Sequence, residues 1–188
     1  MTARTPLPPP DRAAAAALWA DYAAAHPDWA AAGPDYVVHF FGDHVDLADE
    51  LVELVESGRK RATAELVSQY LVDGEPLPRV GAHLISCDGS GRPRVILRTH
   101  RIRLAPYSAA DEAFAHAEGE DDGTLESWLR EHERYFRRVL ATRGETFSPE
   151  LELTFEEFTV VWPPHLADAG AGVGDRGGLQ LPARHRVL

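Results

Sequence analysis

Apolar residues recur on two different spacings along this chain, and the places where one spacing gives way to the other mark out its elements. Leu47, Leu51, Leu54 and Val55 fall every three or four positions with acids between them. That pattern predicts an amphipathic helix, capped by Asp46 and ended by Gly58 in the left-handed conformation. Leu125, Trp128, Leu129, His132, Phe136, Val139 and Leu140 share one broad face in the same way, so Thr124 is expected to cap the longest helix. Asp11 is placed to cap a helix running to about Ala25, where Pro27 ends it, and a short turn carries Trp29.

Compact apolar runs predict the strands. Tyr36 to Phe41 is one, closed by Gly42-Asp43. His83–Cys87 and Val95–Leu104 are two more, joined by Asp88-Gly89-Ser90-Gly91, a hairpin turn signal, and Leu153 to Trp162 is the last. Thr63 is expected to cap a two-turn helix through Val67 and Leu71, broken by Asp73-Gly74, and Ser108 to open a short helix through Phe114. Helices and strands mix without a regular βαβ alternation. The fold class expected is therefore α+β, a small curved sheet or barrel surrounded by helices. Residues 1–10 read as a proline-rich extended leader, 11–34 as a helical extension, 35–162 as the main domain and 163–188 as a Gly-rich tail.

Composition adds limits. The formal charge of −11 speaks against a general nucleic-acid coat protein, though not against a local basic groove. The single cysteine, Cys87, excludes an internal disulfide and a cysteine-based zinc cage. It fits a cytoplasmic protein, and its apolar neighbours suggest a buried thiol. No apolar run approaches a membrane span, so no membrane partner is expected.

Of the 19 basic residues, 18 are arginine, and Lys60 is the one lysine. Arginine stays protonated at any working pH, whereas a lysine that is desolvated or crowded by cations can act as a base. Arg59 and Arg61 flank Lys60, and Thr63 follows three residues on. If Thr63 opens a helix, its free N–H groups and these cations suit a phosphate or an oxyanion. The competing reading is three solvated cations between two helix caps. Arg92, Arg94, Arg98, Arg101 and Arg103 track a phosphate backbone or form a solvated hairpin face. Glu118, Glu120, Asp121 and Asp122 hold a divalent metal or form a surface acidic loop. Trp128 and His132, one turn apart, line a base-stacking pocket or pack in the core.

The order of short motifs carries more than any one of them. Gly58-Arg59-Lys60-Arg61-Ala62-Thr63 is followed by Leu66 and Tyr70, then Gly74-Glu75-Pro76-Leu77-Pro78, Gly81 and Asp88-Gly89 with Pro93. Thr99, Pro106-Tyr107, Ala115 to Glu120, Leu125, Trp128, His132 and Tyr135-Phe136 complete the set. From about Tyr36 to Trp162 the chain resembles the ASCH (activating signal cointegrator homology) family of PUA-like barrels, in its bacterial branch. The resemblance implies a link to RNA. It also implies that relatives include ribonucleases and amidohydrolases acting on acylated cytidine. The lysine, threonine and glutamate those hydrolases use match Lys60, Thr63 and, through A-x-x-E, Glu118, with Glu120 as a competitor.

The function expected is a small hydrolase acting on a nucleoside, nucleotide or RNA-like substrate without a cofactor. Lys60 is the base, Thr63 the nucleophile or its positioner, and Glu118 the proton relay. Arg59, Arg61, Tyr70, Glu120, Trp128 and His132 complete the pocket. The alternatives are a non-catalytic module binding single-stranded RNA, and a ribonuclease dependent on a divalent metal.

Overall fold

The computed structural model describes residues 4–169. Much of the remainder of the Gly-rich tail lies outside them. Asp11 caps α1 (Arg12–Ala25) by accepting from Ala14 N–H, and Pro27 opens the short α2 (Pro27–Ala32). β1 (Tyr36–His39) leads to α3 (Val45–Glu56), whose face of Ala48, Leu51, Val52 and Val55 is buried. His44 occupies the cap of α3 and Asp46 sits in its first turn. The end N–H, that of Val45, instead donates to Thr5 O in the leader. Gly58 has φ +86°, as a left-handed end requires.

The next segment departs from expectation. Thr63 does not cap a helix; it lies inside β2 (Ala62–Leu66), and α4 (Val67–Asp73) begins only afterwards. The reason is long-range. β2 pairs antiparallel with β5 (Glu152–Trp162), Thr63 opposite Glu156 and Glu65 opposite Thr154, and that ladder outweighs local helix preference. β3 (His83–Cys87) and β4 (Pro93–Pro106) form the expected hairpin. After a 3₁₀ turn at Tyr107–Ala109 come α5 (Glu112–Glu118), capped by Asp111 instead of Ser108, and α6 (Leu125–Ala141), capped by Thr124.

The architecture is α+β, a five-stranded mixed sheet in the order β1-β3-β4-β5-β2 with the helices packed around it. It is not a closed barrel. The four-residue β1 pairs only with β3, in parallel, and β2 pairs only with β5, so both stay as edges. The long β4 joins the halves, pairing with β3 early and with β5 along its length. Ala62, Leu66, Leu153, Phe155, Trp128, Phe136 and Leu140 close the core under α5 and α6. Tyr22 and Ala15 of α1 close another against Ile85, Ile96 and Val161, and Cys87 is buried as expected. Among the described residues no helix is long and apolar enough to cross a membrane.

Candidate active site

The segment linking α3 to β2 carries Lys60, and three backbone bonds fix it. Lys60 N–H donates to Leu54 O, Arg61 N–H to Ala117 O at the end of α5, and Phe158 N–H of β5 to Arg61 O. Gly119 ends α5 with φ 69°, packed against the Arg59 carbonyl. The end of α5 is thereby locked beside Lys60.

Lys60 is 1% exposed. Its Nζ donates to Glu120 Oε1 at 2.6 Å and Glu118 Oε1 at 3.4 Å, and lies 5.3 Å from the centre of the Phe41 ring. Burial pulls its pKa down, but Glu120 and Glu118 outweigh that, and the net shift is upward. This reverses the lowered pKa expected from Arg59 and Arg61. Those two guanidinium groups are turned elsewhere, Arg59 to the Asp121 carbonyl and Arg61 to Asp168, Val55 O and Lys60 O. Neither lines the cleft described below. The expected anion site at a helix start is also absent, because β2 replaces that helix.

Glu118 is equally buried. It accepts from Ala64 N–H at 3.1 Å, from the Trp128 indole and from Lys60, and lies 3.4 Å from His132 Nε2. Burial favours its neutral form, but Lys60 and then His132 hold its pKa below the usual carboxylate range. The other ring nitrogen of His132, Nδ1, faces Trp128 O at 3.1 Å. A carbonyl can only accept, so Nδ1 donates to it, and the Glu118 carboxylate facing Nε2 favours the protonated ring. Its pKa moves accordingly: burial lowers it, Glu118 raises it more, and the net is upward. Trp128 stacks on His132 at 4.0 Å between centroids and is itself core; it does not line the cleft.

Above this group opens a cleft of about 600 Å³. Thr63, Tyr70, Glu118, Glu120 and His132 all reach its wall, so most of the candidate residues converge. The Thr63 hydroxyl makes no hydrogen bond to another described residue, and Lys60 Nζ is bonded to carboxylates, not to it. Tyr70 bonds Thr154 Oγ1 at 3.4 Å, and burial pushes its phenol up to about 12.

The sequence reading missed two further acids in the wall. Glu65 stands two residues beyond Thr63 on the same face of β2, and burial pushes its carboxyl up to about 7. Glu156 is cross-strand from Thr63, 9% exposed, and accepts from the Thr99 hydroxyl. Burial raises its pKa, and the Thr99 bond only partly offsets that. Reading residues 62–66 as a strand would have found Glu65 by its two-residue spacing. Nothing local in the sequence marks Glu156.

The other sequence candidates disperse. Asp122 caps α6 through Thr124, while Glu118 and Glu120 turn onto Lys60. Among the described residues no three His, Cys, Asp or Glu side chains gather as a metal site. Arg94 pairs with Glu56 and Asp88, Arg101 with Glu157, Arg98 stacks on Trp29 and Arg103 on Phe155. They form no shared basic stripe.

Comparison with known proteins agrees with this fold. No curated protein matches the chain. The crystal structure of an ASCH domain from Lactobacillus crispatus JV V101 superposes with a TM-score of 0.75 at 25% identity, covering 80% of this chain and 95% of that one. A crystal structure of an Enterococcus faecalis V583 protein gives a TM-score of 0.61 at 37% identity, covering 66% of this chain and 75% of that one. The ASCH domain family model matches residues 37–162, the span that holds Lys60, Thr63, Glu118 and every strand but the first residue of β1. The chain belongs to the ASCH domain family.

Proposed function

We propose that this protein is a small hydrolase that cleaves an amide on a nucleoside-like substrate held in the cleft. One observation carries the reading: a buried ammonium, Lys60, bridges two carboxylates beneath a cleft into which an unengaged threonine hydroxyl projects. The wall carries more acids, among them Glu50, Asp73, Glu75, Glu120, Asp121 and Glu131, than arginines (Arg4, Arg134 and Arg138), which favours a neutral heterocycle over a polyanionic strand there. This supports a nucleoside hydrolase above an RNA-binding module or a metal-dependent ribonuclease.

The roles follow from charge. Lys60 as an ammonium is not the base; buried just behind the cleft wall, it favours the oxyanion that forms at the attacked carbonyl through its charge and not by contact. Glu120, partly exposed and bonded to Lys60, is the carboxylate that takes the Thr63 proton as Oγ attacks the acyl carbon. That proton passes to the departing amine nitrogen as its bond to the acyl carbon breaks. Water then cleaves the threonine ester, releasing the acid and freeing the hydroxyl. Glu118 and His132 hold Lys60 in place and do not exchange protons with substrate.

The test is incubation with a panel of N-acylated nucleosides, following free nucleoside by chromatography. Turnover is expected without added metal, lost in Thr63→Val and in Glu120→Gln. Absence of release from every member, with salt-sensitive binding of short RNA instead, would replace this reading with the binding module.

A further inference from the structure

Glu156 combines three properties that the hydrolytic chemistry does not use. It is nine-tenths buried yet lines the cleft. It pairs with no cation among the described residues, and its one hydrogen bond comes from Thr99 to Oε1, which leaves Oε2 without a partner. It also stands directly across the strand pair from Thr63, which puts the two Cβ atoms about 5 Å apart.

We propose that Glu156 is the specificity-determining residue of the cleft, its Oε2 donating a hydrogen bond to an acceptor nitrogen in the substrate's heterocycle. The inference rests on the hydrolase reading for its substrate class. At this depth desolvation penalises the charge of an unpaired carboxyl and no cation among the described residues repays it, which favours the protonated form. The Thr99 hydroxyl fixes Oε1 as the accepting oxygen, so the proton resides on Oε2, the atom free to meet a ligand. A neutral acid offers a donor beside an acceptor, whereas a carboxylate offers acceptors alone. The complementary edge is a ring nitrogen next to an exocyclic N–H, as in cytosine and adenine. A base held that way places the acyl group on its exocyclic nitrogen beside the neighbouring residue of the wall, and across the strand pair that residue is Thr63. Recognition and the scissile bond are then set by one cross-strand pair.

Two nucleosides differing by a single atom test this. Cytidine carries the acceptor ring nitrogen; 3-deazacytidine has a C–H there. Binding of each is measured by calorimetric titration, which needs no turnover. The wild-type protein is expected to prefer cytidine about 10-fold, the usual scale for one buried hydrogen bond. Glu156→Gln keeps a donor and an acceptor and should keep the preference; Glu156→Met is close in volume and should abolish it. Circular dichroism establishes that each variant is folded, and the ratio of two affinities is unmoved by a uniform loss of binding. Equal binding of both nucleosides by the wild type, a preference for 3-deazacytidine, a preference surviving in Glu156→Met, or no nucleoside binding at all would each overturn the proposal. Retained discrimination with no release from acylated nucleosides would leave Glu156 as the reader and remove the hydrolase reading, so the two fail separately.

Discussion

Lys60 and Glu118 are both buried, Lys60 compensated by Glu120 and Glu118, and Glu118 by Lys60 and His132. Removing one partner of such a pair leaves an uncompensated charge in the interior. Lys60→Met is therefore expected to lower the unfolding free energy by about 3–5 kcal/mol in urea titrations. Thr63→Val should behave oppositely, abolishing turnover while shifting stability by less than about 0.5 kcal/mol, since that hydroxyl holds nothing in place. Glu65 gives a pH signature. Its folded pKa of about 7 lies above the ordinary 4.5, so between those values the folded state holds a proton that the unfolded chain has released. The Glu65 contribution to stability therefore falls as pH rises through that window, by on the order of 1–3 kcal/mol. His132, also raised, adds a loss at its upper end, whereas the lowered pKa of Glu118 acts only in acid. His83, whose pKa burial lowers to about 4, and His39, also lowered by burial, add stability as pH rises over the same window, so the Glu65 contribution is read as a difference: across pH 4.5 to 7 the wild type should lose melting temperature relative to Glu65→Gln.

At the scale of elements, the site exists because α5 ends where it does. Gly119 turns the chain at φ 69° so that Glu118 points inward and Glu120 lies on the cleft wall. A Cβ at Gly119 would overlap the Arg59 carbonyl oxygen as well as strain the left-handed turn. Gly119→Ala is expected to cost more than about 2 kcal/mol and to reduce turnover with it, because the same turn positions both carboxylates. Helices α1, α3 and α6 were legible in the sequence, α1 and α6 by their caps and α3 by its apolar stripe. β2 was not. Ala62-Thr63-Ala64-Glu65-Leu66 is short and weakly apolar, and only its ladder with β5, almost ninety residues away, makes it a strand. With β2 misread, Thr63 kept its identity as a candidate but lost its neighbours, so Glu65 and Glu156 went unseen.

Across the whole molecule, all five strands contribute to the cleft. The cleft runs across the sheet, lined by Thr63 of β2 and Glu156 of β5 but also by His39 of β1 and His83 of β3, while α1 and α2 seal the buried side chains of Ile85, Ile96 and Val161 with Trp19, Tyr22 and Trp29. The leader joins in: Asp11 N–H donates to Gly91 O, and Arg4 pairs with Asp43 at the cleft edge. Deleting residues 1–34 should expose that apolar surface, seen as binding of a hydrophobic dye and a depressed melting temperature. The open order of the sheet could not be read in advance, because closure depends on which edges meet, and strand patterns are the same in a barrel and in an open sheet.

By itself the sequence determined the α+β class, the main helices, the hairpin and the singular position of Lys60, all of which follow from local spacing, caps and residue chemistry. Tertiary structure alone decided the charge of Lys60. Its arginine neighbours in the chain point away, and its neighbours in space are carboxylates on the end of a helix about sixty residues distant. A pKa answers to whatever lies within a few ångströms, and chain order does not say what that is.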